Sequence, residues 1–419
     1  VSNQETLALM GGTPIRTEAH PPYNTIAEAE IDAAIGVLKT GILSGFVATP
    51  GADFYGGKWV LALEQAFMQK FQCQHAVSVN SATSGLHAAL AAAGVGLGDE
   101  VIVPPYSMSA SATAVVMCGA TPIFVDIEAD TFCLNSALVA PAITAHTKAI
   151  MAVNLFGQAA DLLPLRAIAD QHGVCLIEDN AQAPAAQYQG HWTGTIGDMG
   201  VFSLNRHKTM QCGEGGVVVT HDARLAHRLQ MVRNHGEAVL PEWHEDALTR
   251  GNEDIVGYNY RLTELQAAIA QPQLERLEGL NATRIELAEY LSTQLDALDY
   301  LSAAVIRPGS THVYYVYPMR YHPEVLGISR DQFVAALQAE GMPVGNYVRP
   351  LFRLPLYAAR YGHRACYQAA NFPVVEQCWQ SSMVITSICR PPLERQHIDE
   401  FMAAIKKIER HAKVIQTVG

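Results

Sequence analysis

Gly200-Val-Phe-Ser-Leu-Asn-Arg-His-Lys208-Thr-Met-Gln-Cys212-Gly-Glu-Gly-Gly216 opens as a strand on Val201, Phe202 and Leu204, then breaks into a polar turn that carries a lysine. A glycine cluster closes the turn, and Val217-Val-Val-Thr220 reads as a second strand. Lysine ordinarily lies on solvated faces, so one held between two buried strands is out of its usual place. Burial lowers an amine's pKa, and a neutral amine attacks carbonyls. The plainer alternative is a surface turn with a solvated Lys208, and the stretch alone does not choose. Gly213, Gly215 and Gly216 permit positive φ and close backbone approach.

Outward from this stretch, strands alternate with helices. Apolar runs at 75–79, 101–103, 122–126, 149–153 and 174–177 read as strands, and 86–93, 110–117 and 162–171 as the helices among them. Alternation of this kind implies right-handed crossovers and a mostly parallel sheet. The strands are continuous apolar runs, which suits burial on both faces. Residues 1–24, punctuated by Gly11-Gly-Thr-Pro14 and Pro21-Pro22, read as an N-terminal arm. Thr25-Ile-Ala-Glu28 reads as a capping box, ahead of a helical stripe through Ile31, Ile35 and Leu38. Beyond Val219, residues 235–258 form a long polar loop, Val313-Tyr-Tyr-Val-Tyr317 reads as an antiparallel strand, and a last helix covers 396–408. The expected fold class is α/β: a mostly parallel central sheet with helices on both faces, plus a smaller C-terminal α+β domain. The expected division is an arm at 1–24, a large domain at 25–275 and a small one at 276–419.

Composition narrows the function. A net charge of −12 over 419 residues argues against nucleic acid, whose phosphates need clustered cations. No apolar run reaches the ~20 residues that span a bilayer, and no secretory signal opens the chain, so a cytoplasmic location is expected. The eight cysteines show no CxxC or metal spacing and read as reduced core residues. The sixteen histidines include no HExxH, so no metal site is expected.

Three loops at strand ends carry the chemistry. Asn80-Ser-Ala-Thr-Ser-Gly85 is a small-residue turn opening a helix, where free N–H groups and the helix dipole suit a phosphate; a plain Ser/Thr cap is the alternative. Ile177-Glu-Asp-Asn-Ala-Gln182 puts carboxylates at the carboxyl end of a strand, where ligands of open α/β sheets bind. A carboxylate there can hold a ring nitrogen protonated, or merely cap a helix. Ser203 can add a hydroxyl to the anion site, and Lys208 can form a Schiff base. A phosphate cup, a strand-end aspartate and a turn lysine in this order spell out a site for pyridoxal 5′-phosphate (PLP).

The chain resembles the DegT/DnrJ/EryC1/StrS family of sugar aminotransferases, within the aspartate-aminotransferase fold. The resemblance runs from Gly12-Thr-Pro14 to about residue 350 and is carried by Asn80-Ser-Ala-Thr-Ser-Gly-Leu86, Gly98-Asp-Glu-Val-Ile-Val103, Gly119-Ala-Thr-Pro-Ile-Phe-Val-Asp126, Glu178-Asp-Asn-Ala-Gln182, Gly213-Glu-Gly-Gly216 and Gly257-Tyr-Asn-Tyr-Arg-Leu-Thr-Glu-Leu-Gln-Ala-Ala268. It implies Lys208 as the Schiff-base lysine and proton carrier, Asp179 on the pyridine nitrogen, and Gln182 on the ring hydroxyl. Ser81, Ala82, Thr83 and Ser203 would hold the phosphate, joined by Asn259 from the other subunit of a homodimer. Ser44, Tyr55, Phe156, His235 and Tyr347 lie where family members meet the sugar. Met108 stands where much of the family stacks an aromatic residue on the cofactor; a thioether can also pack on a ring face. Arg206 and His207 add basic groups; Arg206 would depress the lysine's pKa, or both point to solvent or to the partner chain.

The implied reaction is transamination from L-glutamate or glutamine, by way of pyridoxamine 5′-phosphate, to a keto sugar. Relatives with histidine in place of the lysine run dehydrations; Lys208 argues for amino transfer. The resemblance points to a nucleotide-linked 4-keto or 3-keto deoxysugar for surface polysaccharide, with a cyclitol (inosose-type) or an antibiotic sugar as alternatives. A lyase or desulfurase would need a cysteine on a mobile loop, and Cys212 stands too near Lys208 for that. A non-catalytic PLP-binding regulator would bring an extra domain that the sequence does not display.

Overall fold

The computed structural model describes residues 6–48, 51–236 and 255–418. Seven strands form the main sheet: β1 (His75–Val79), β2 (Glu100–Val103), β3 (Thr121–Phe124), β4 (Thr147–Val153), β5 (Cys175–Asp179), β8 (Met199–Ser203) and β9 (Gly216–Thr220). A small hairpin, β6 (Gln187–Tyr188) and β7 (His191–Trp192), lies between β5 and β8 in the chain. The order is β1-β9-β8-β5-β4-β2-β3, with only β9 antiparallel to its neighbours. The expected mostly parallel sheet is therefore present, and β1, β2, β4, β5 and β8 all end at one edge.

Both faces of this sheet are buried, which explains the unbroken apolar strands. Along β8 and β9, Val201 and Val218 face one core, and Phe202, Val217 and Val219 face another. The first core takes α3 (Ala82–Ala92) and Leu229 and Val232 of the helix Ala223–Arg233. The second takes Val60, Leu63, Phe67 and Phe71 of α2 (Lys58–Phe71) and the helix Glu264–Glu275. Glu264, only 1% exposed, accepts the Gly57 and Trp59 amides at 3.1 and 2.8 Å and so caps α2, while Thr263 and Gln266 form a capping box on their own helix. Much of the 257–268 motif is thus structural.

Four antiparallel strands, Leu301–Ser302, Tyr317–Tyr321, Met383–Thr386 and Val344–Gly345, form the second sheet. The helices Leu277–Leu295, Arg330–Ala339 and Arg395–Val418 cover it. The strand expected at 313–317 begins at Tyr317: the Val313 amide donates to Gly157, Tyr314 takes φ +48°, and Tyr315 lies over Lys208. The last helix runs ten residues beyond the expected Ile408, since Ala412 and Ile415 continue its buried face. Residues 351–378, unassigned in the sequence reading, return to the main sheet, where Phe352, Tyr357, Tyr367 and Phe372 surround Phe124 of β3 and cover that edge.

The first helix differs from expectation. α1 (Glu28–Thr40) is capped at Ala27, whose amide donates to Glu30 Oε2 at 2.7 Å, and not at Thr25. Thr25 is buried, and its carbonyl accepts from Gln273 and Arg276. Ile31, Ile35 and Leu38 are 44%, 42% and 56% exposed, so the apolar stripe points away from this chain's own cores. The arm is latched at Glu340, which accepts the Ala8 and Ile15 amides at 2.8 and 3.0 Å and pairs with the buried Lys407 at 2.9 Å. Of the loop expected at 235–258, residues 237–254 lie outside the described residues.

Candidate active site

The strand ends converge on a cavity of about 360 Å³. Lys208 follows β8 in a turn closed by its amide donating to the Asn205 carbonyl at 2.8 Å. Its Nζ lies 4.3 Å from the ring centre of Tyr315. The side chain reaches the cavity, yet protein surrounds the amine closely enough that burial lowers its pKa to about 8, against an opposing attraction from Asp179. Arg206 and His207 are exposed in the single chain, which fits the outward-pointing alternative for both, although His207 also touches the cavity. Gly213 takes φ +88°, whereas Gly216 is needed for space: a Cβ there would sit 2.8 Å from the Ala82 nitrogen.

Asp179 is the last residue of β5 and is 6% exposed. Oδ1 accepts the Ala181 amide at 3.2 Å, and Oδ2 accepts Ser111 Oγ at 2.7 Å. Burial raises its pKa despite both bonds and the nearby Lys208. Among the described residues no cationic side chain reaches it within ion-pair distance. Glu178 is turned away into the core, where Asn154 and the Gly194, Ile196 and Gly197 amides hold it. Neighbouring carboxylates therefore separate by strand alternation, one structural and one facing the cavity.

Gln182 Oε1 accepts the Phe156 amide at 2.9 Å, which fixes the side-chain amide and makes its NH₂ the donor end, one hydrogen of which reaches the Tyr347 hydroxyl at 3.5 Å. At the opposite wall, Ser81, Ala82 and Thr83 form the start of α3. Ser81 Oγ caps that helix by accepting the Ser84 amide at 3.1 Å, so the capping alternative and the anion-site reading meet at one residue. The helix's first N–H groups have no partners within it. Ser203 and Met108 complete this part of the lining, Met108 being 59% exposed.

Lys208, Asp179, Gln182, Ser81, Ala82, Thr83, Ser203 and Met108 thus come together. Phe156 and Tyr347 do not line the cavity directly. Phe156 is fully buried at φ +59° and packs on Tyr347 with ring centres 4.7 Å apart. Asn259 is exposed, and its Oδ1 accepts from Arg261 at 2.9 Å. Ser44 lines a separate hollow beside α1, Tyr55 is half-buried under Arg233, and His235 is exposed at φ +68°. Tyr315, Ser107, Asn205 and Glu214 line the cavity but were missed. Tyr315 was hidden in an apparent strand, and Ser107 stands in the loop before the helix Ala110–Met117, where no local pattern marks it.

The geometry fits PLP. A buried carboxylate without a cation suits a protonated ring nitrogen, a helix N-terminus suits a phosphate, and a partly neutral amine stands on the same cavity wall. A search against protein-family models matches residues 47–406 to the DegT/DnrJ/EryC1/StrS aminotransferase family. The chain belongs to the DegT/DnrJ/EryC1/StrS aminotransferase family. It is a PLP-dependent sugar aminotransferase. Among its relatives is an L-glutamine:2-deoxy-scyllo-inosose aminotransferase of Streptomyces kanamyceticus, 38% identical over 84% of this chain and 82% of that one. Similar solved structures include S. venezuelae DesV in complex with a ketimine intermediate, 31% identical, with a TM-score of 0.78 over 91% of this chain and 94% of that one. DesI in the presence of its TDP-sugar product is 26% identical, with a TM-score of 0.82 over 99% and 98%. The aminotransferase's Cys212 is buried, its thiol pKa is pushed up, and it contacts the Glu214 carbonyl, all unlike a reactive thiol.

Proposed function

We propose that this aminotransferase moves an amino group from L-glutamine or L-glutamate to a six-membered keto cyclitol of the inosose type. The observation that carries this reading is the 38% identity to the inosose aminotransferase. A nucleotide-linked keto sugar is the second reading, supported by the likeness to DesI. The test is to supply each donor with a keto-cyclitol or with nucleotide-linked 3-keto and 4-keto sugars, and to measure amine product. Amination of the nucleotide sugars alone would overturn the cyclitol reading.

PLP, when bound, supplies an aldehyde that carries the amino group and a ring that accepts electron density. Lys208 Nζ would anchor that aldehyde and then carry a proton to and from the substrate carbon; with a pKa of about 8, part of the population is neutral and able to accept it. Asp179 would hold the proton on the ring nitrogen, and the Gln182 NH₂ would donate to the ring hydroxyl. Ser81, Ala82, Thr83 and Ser203 would receive the phosphate, and Met108 would pack on the ring face. Tyr347 would steady the Gln182 NH₂, from which its hydroxyl accepts at 3.5 Å.

We further propose a homodimer in which Asn259 reaches the partner's phosphate site and Ser44, Tyr55 and His235 line the partner's acceptor site. The exposed stripe of α1, continued by Ile42 and Leu43 at 58% and 47% exposure, is the kind of apolar surface a second copy covers. Arm 1–24, the PLP-binding body 25–275 and the small body 276–419 are the proposed working units, each of the latter two with its own sheet, except that residues 351–378 pack back onto the main sheet. The eight cysteines are all unpaired, as suits a reducing cytoplasm, and among the described residues no helix is long and apolar enough to cross a membrane.

A further inference from the structure

Asp179 is held by a residue that lies 68 positions away in the chain. Ser111 sits in the first turn of α4 (Ala110–Met117), is fully buried, and places Oγ 2.7 Å from Asp179 Oδ2. A carboxylate only accepts, so the serine hydroxyl donates. Behind it, Ser107 Oγ lies 2.9 Å from Ser111 Oγ, and because Ser111's one proton goes to the carboxylate, Ser107 is the donor in that pair, its rotor turned from the Met108 carbonyl at 3.0 Å; Ser107 also lines the cavity. Two hydroxyls in series end on the carboxylate that faces the ring nitrogen.

We propose that Ser111, backed by Ser107, is a positioning residue that orients Asp179 and keeps it ionised against the ring nitrogen of bound PLP. The proposal rests on the assignment of Asp179 above. Two observations support it. The Ala181 amide and Ser111 are the two donors that hold the carboxylate among the described residues. Burial favours the neutral acid, and the serine bond is the largest influence opposing it. The other ionisable groups facing Asp179 are Lys208, from the turn after β8, and the Tyr347 phenol, from the loop after Val344–Gly345. Neither makes a hydrogen bond to it, so the hydroxyl has no substitute. A hydrogen bond to a charged group removed in this way weakens the interaction about tenfold or more.

The test compares full-length protein with Ser111→Ala, Ser111→Thr, Asp179→Asn and the Ser111→Ala/Asp179→Asn pair. The readouts are the PLP dissociation constant of the cofactor-free protein and the pH dependence of the absorbance of bound PLP. Ser111→Ala should weaken binding about tenfold and move the absorbance titration, whereas Ser111→Thr should stay near wild type. In the Asp179→Asn background, Ser111→Ala should add less than about twofold, because the two act as one unit. Thr113→Val, on the same helix, controls for packing, and the cofactor-free melting temperature controls for folding. If Ser111→Ala does not fold, Ser107→Ala carries the same comparison with a smaller expected shift. A wild-type titration in Ser111→Ala, or an undiminished loss in the Asp179→Asn background, overturns the role of Ser111 alone. An Asp179→Asn protein with wild-type affinity and absorbance would instead remove the assignment of Asp179.

Discussion

Burial acts in opposite directions on the two central residues, lowering the pKa of Lys208 to about 8 and raising that of Asp179. Each shift disfavours the charged form in the folded chain. For Lys208 the folded pKa lies below the unfolded value of ~10.4. Its charge therefore opposes folding fully below pH 8, and the penalty fades as pH rises from 8 toward ~10.4. Lys208→Met should accordingly stabilise the cofactor-free protein at neutral pH, with an advantage that shrinks in alkali; urea unfolding at a series of pH values checks it. Asp179 has the converse sign, its penalty present above the folded pKa and fading as pH falls toward ~3.9. The same shift sets reactivity. Lys208→Ala should abolish amino transfer and leave no pyridoxyl group fixed at position 208 after borohydride, as read by peptide mass. Unchanged turnover in that variant would sink the role given to Lys208.

Elements hold these residues by contacts that admit little change. Gly216 of β9 lies against the start of α3, and a Cβ would meet the Ala82 nitrogen at 2.8 Å, the Ser81 carbonyl carbon at 2.9 Å and the Phe202 oxygen at 3.0 Å, all backbone. Gly216→Ala should cost about 1–3 kcal/mol of stability through overpacking and weaken phosphate and PLP binding together; paired denaturation and titration measure both. The arm latch is a buried ion pair, with Glu340 and Lys407 at 0% and 1% side-chain exposure. Glu340→Ala leaves that lysine uncompensated and should cost about 3–5 kcal/mol, by denaturant unfolding. Replacing both partners by apolar residues should cost less than either single change. Most strand positions and helix spans were legible locally because periodicity and turn residues mark them. The latch was not, since Glu340 and Lys407 read as ordinary surface charges until the fold pairs them.

At the scale of the whole molecule, the α1 stripe is the feature that a single copy leaves unresolved. Ile35→Asp with Leu38→Asp places two charges on a surface 42% and 56% exposed in one chain, so monomer folding should be little changed. Sedimentation should show a monomer with weakened PLP retention. Asn259→Ala should weaken PLP retention while leaving the dimer intact, which separates the phosphate contact from assembly. A dimer persisting in the aspartate pair would move the interface elsewhere.

The sequence by itself determined the succession of strands and helices, and it set Lys208, Asp179, Gln182 and the Ser81–Thr83 turn at strand ends, because each is marked by its neighbours. Only the tertiary structure decided that Glu178 faces inward while Asp179 faces the cavity, that Phe156 orients Gln182, that Tyr315 lies against the lysine, and that Ser111 meets Asp179. The physical reason is range. Periodicity and capping act over a few residues, whereas burial and a hydrogen bond between residues 68 apart exist only after the chain has packed.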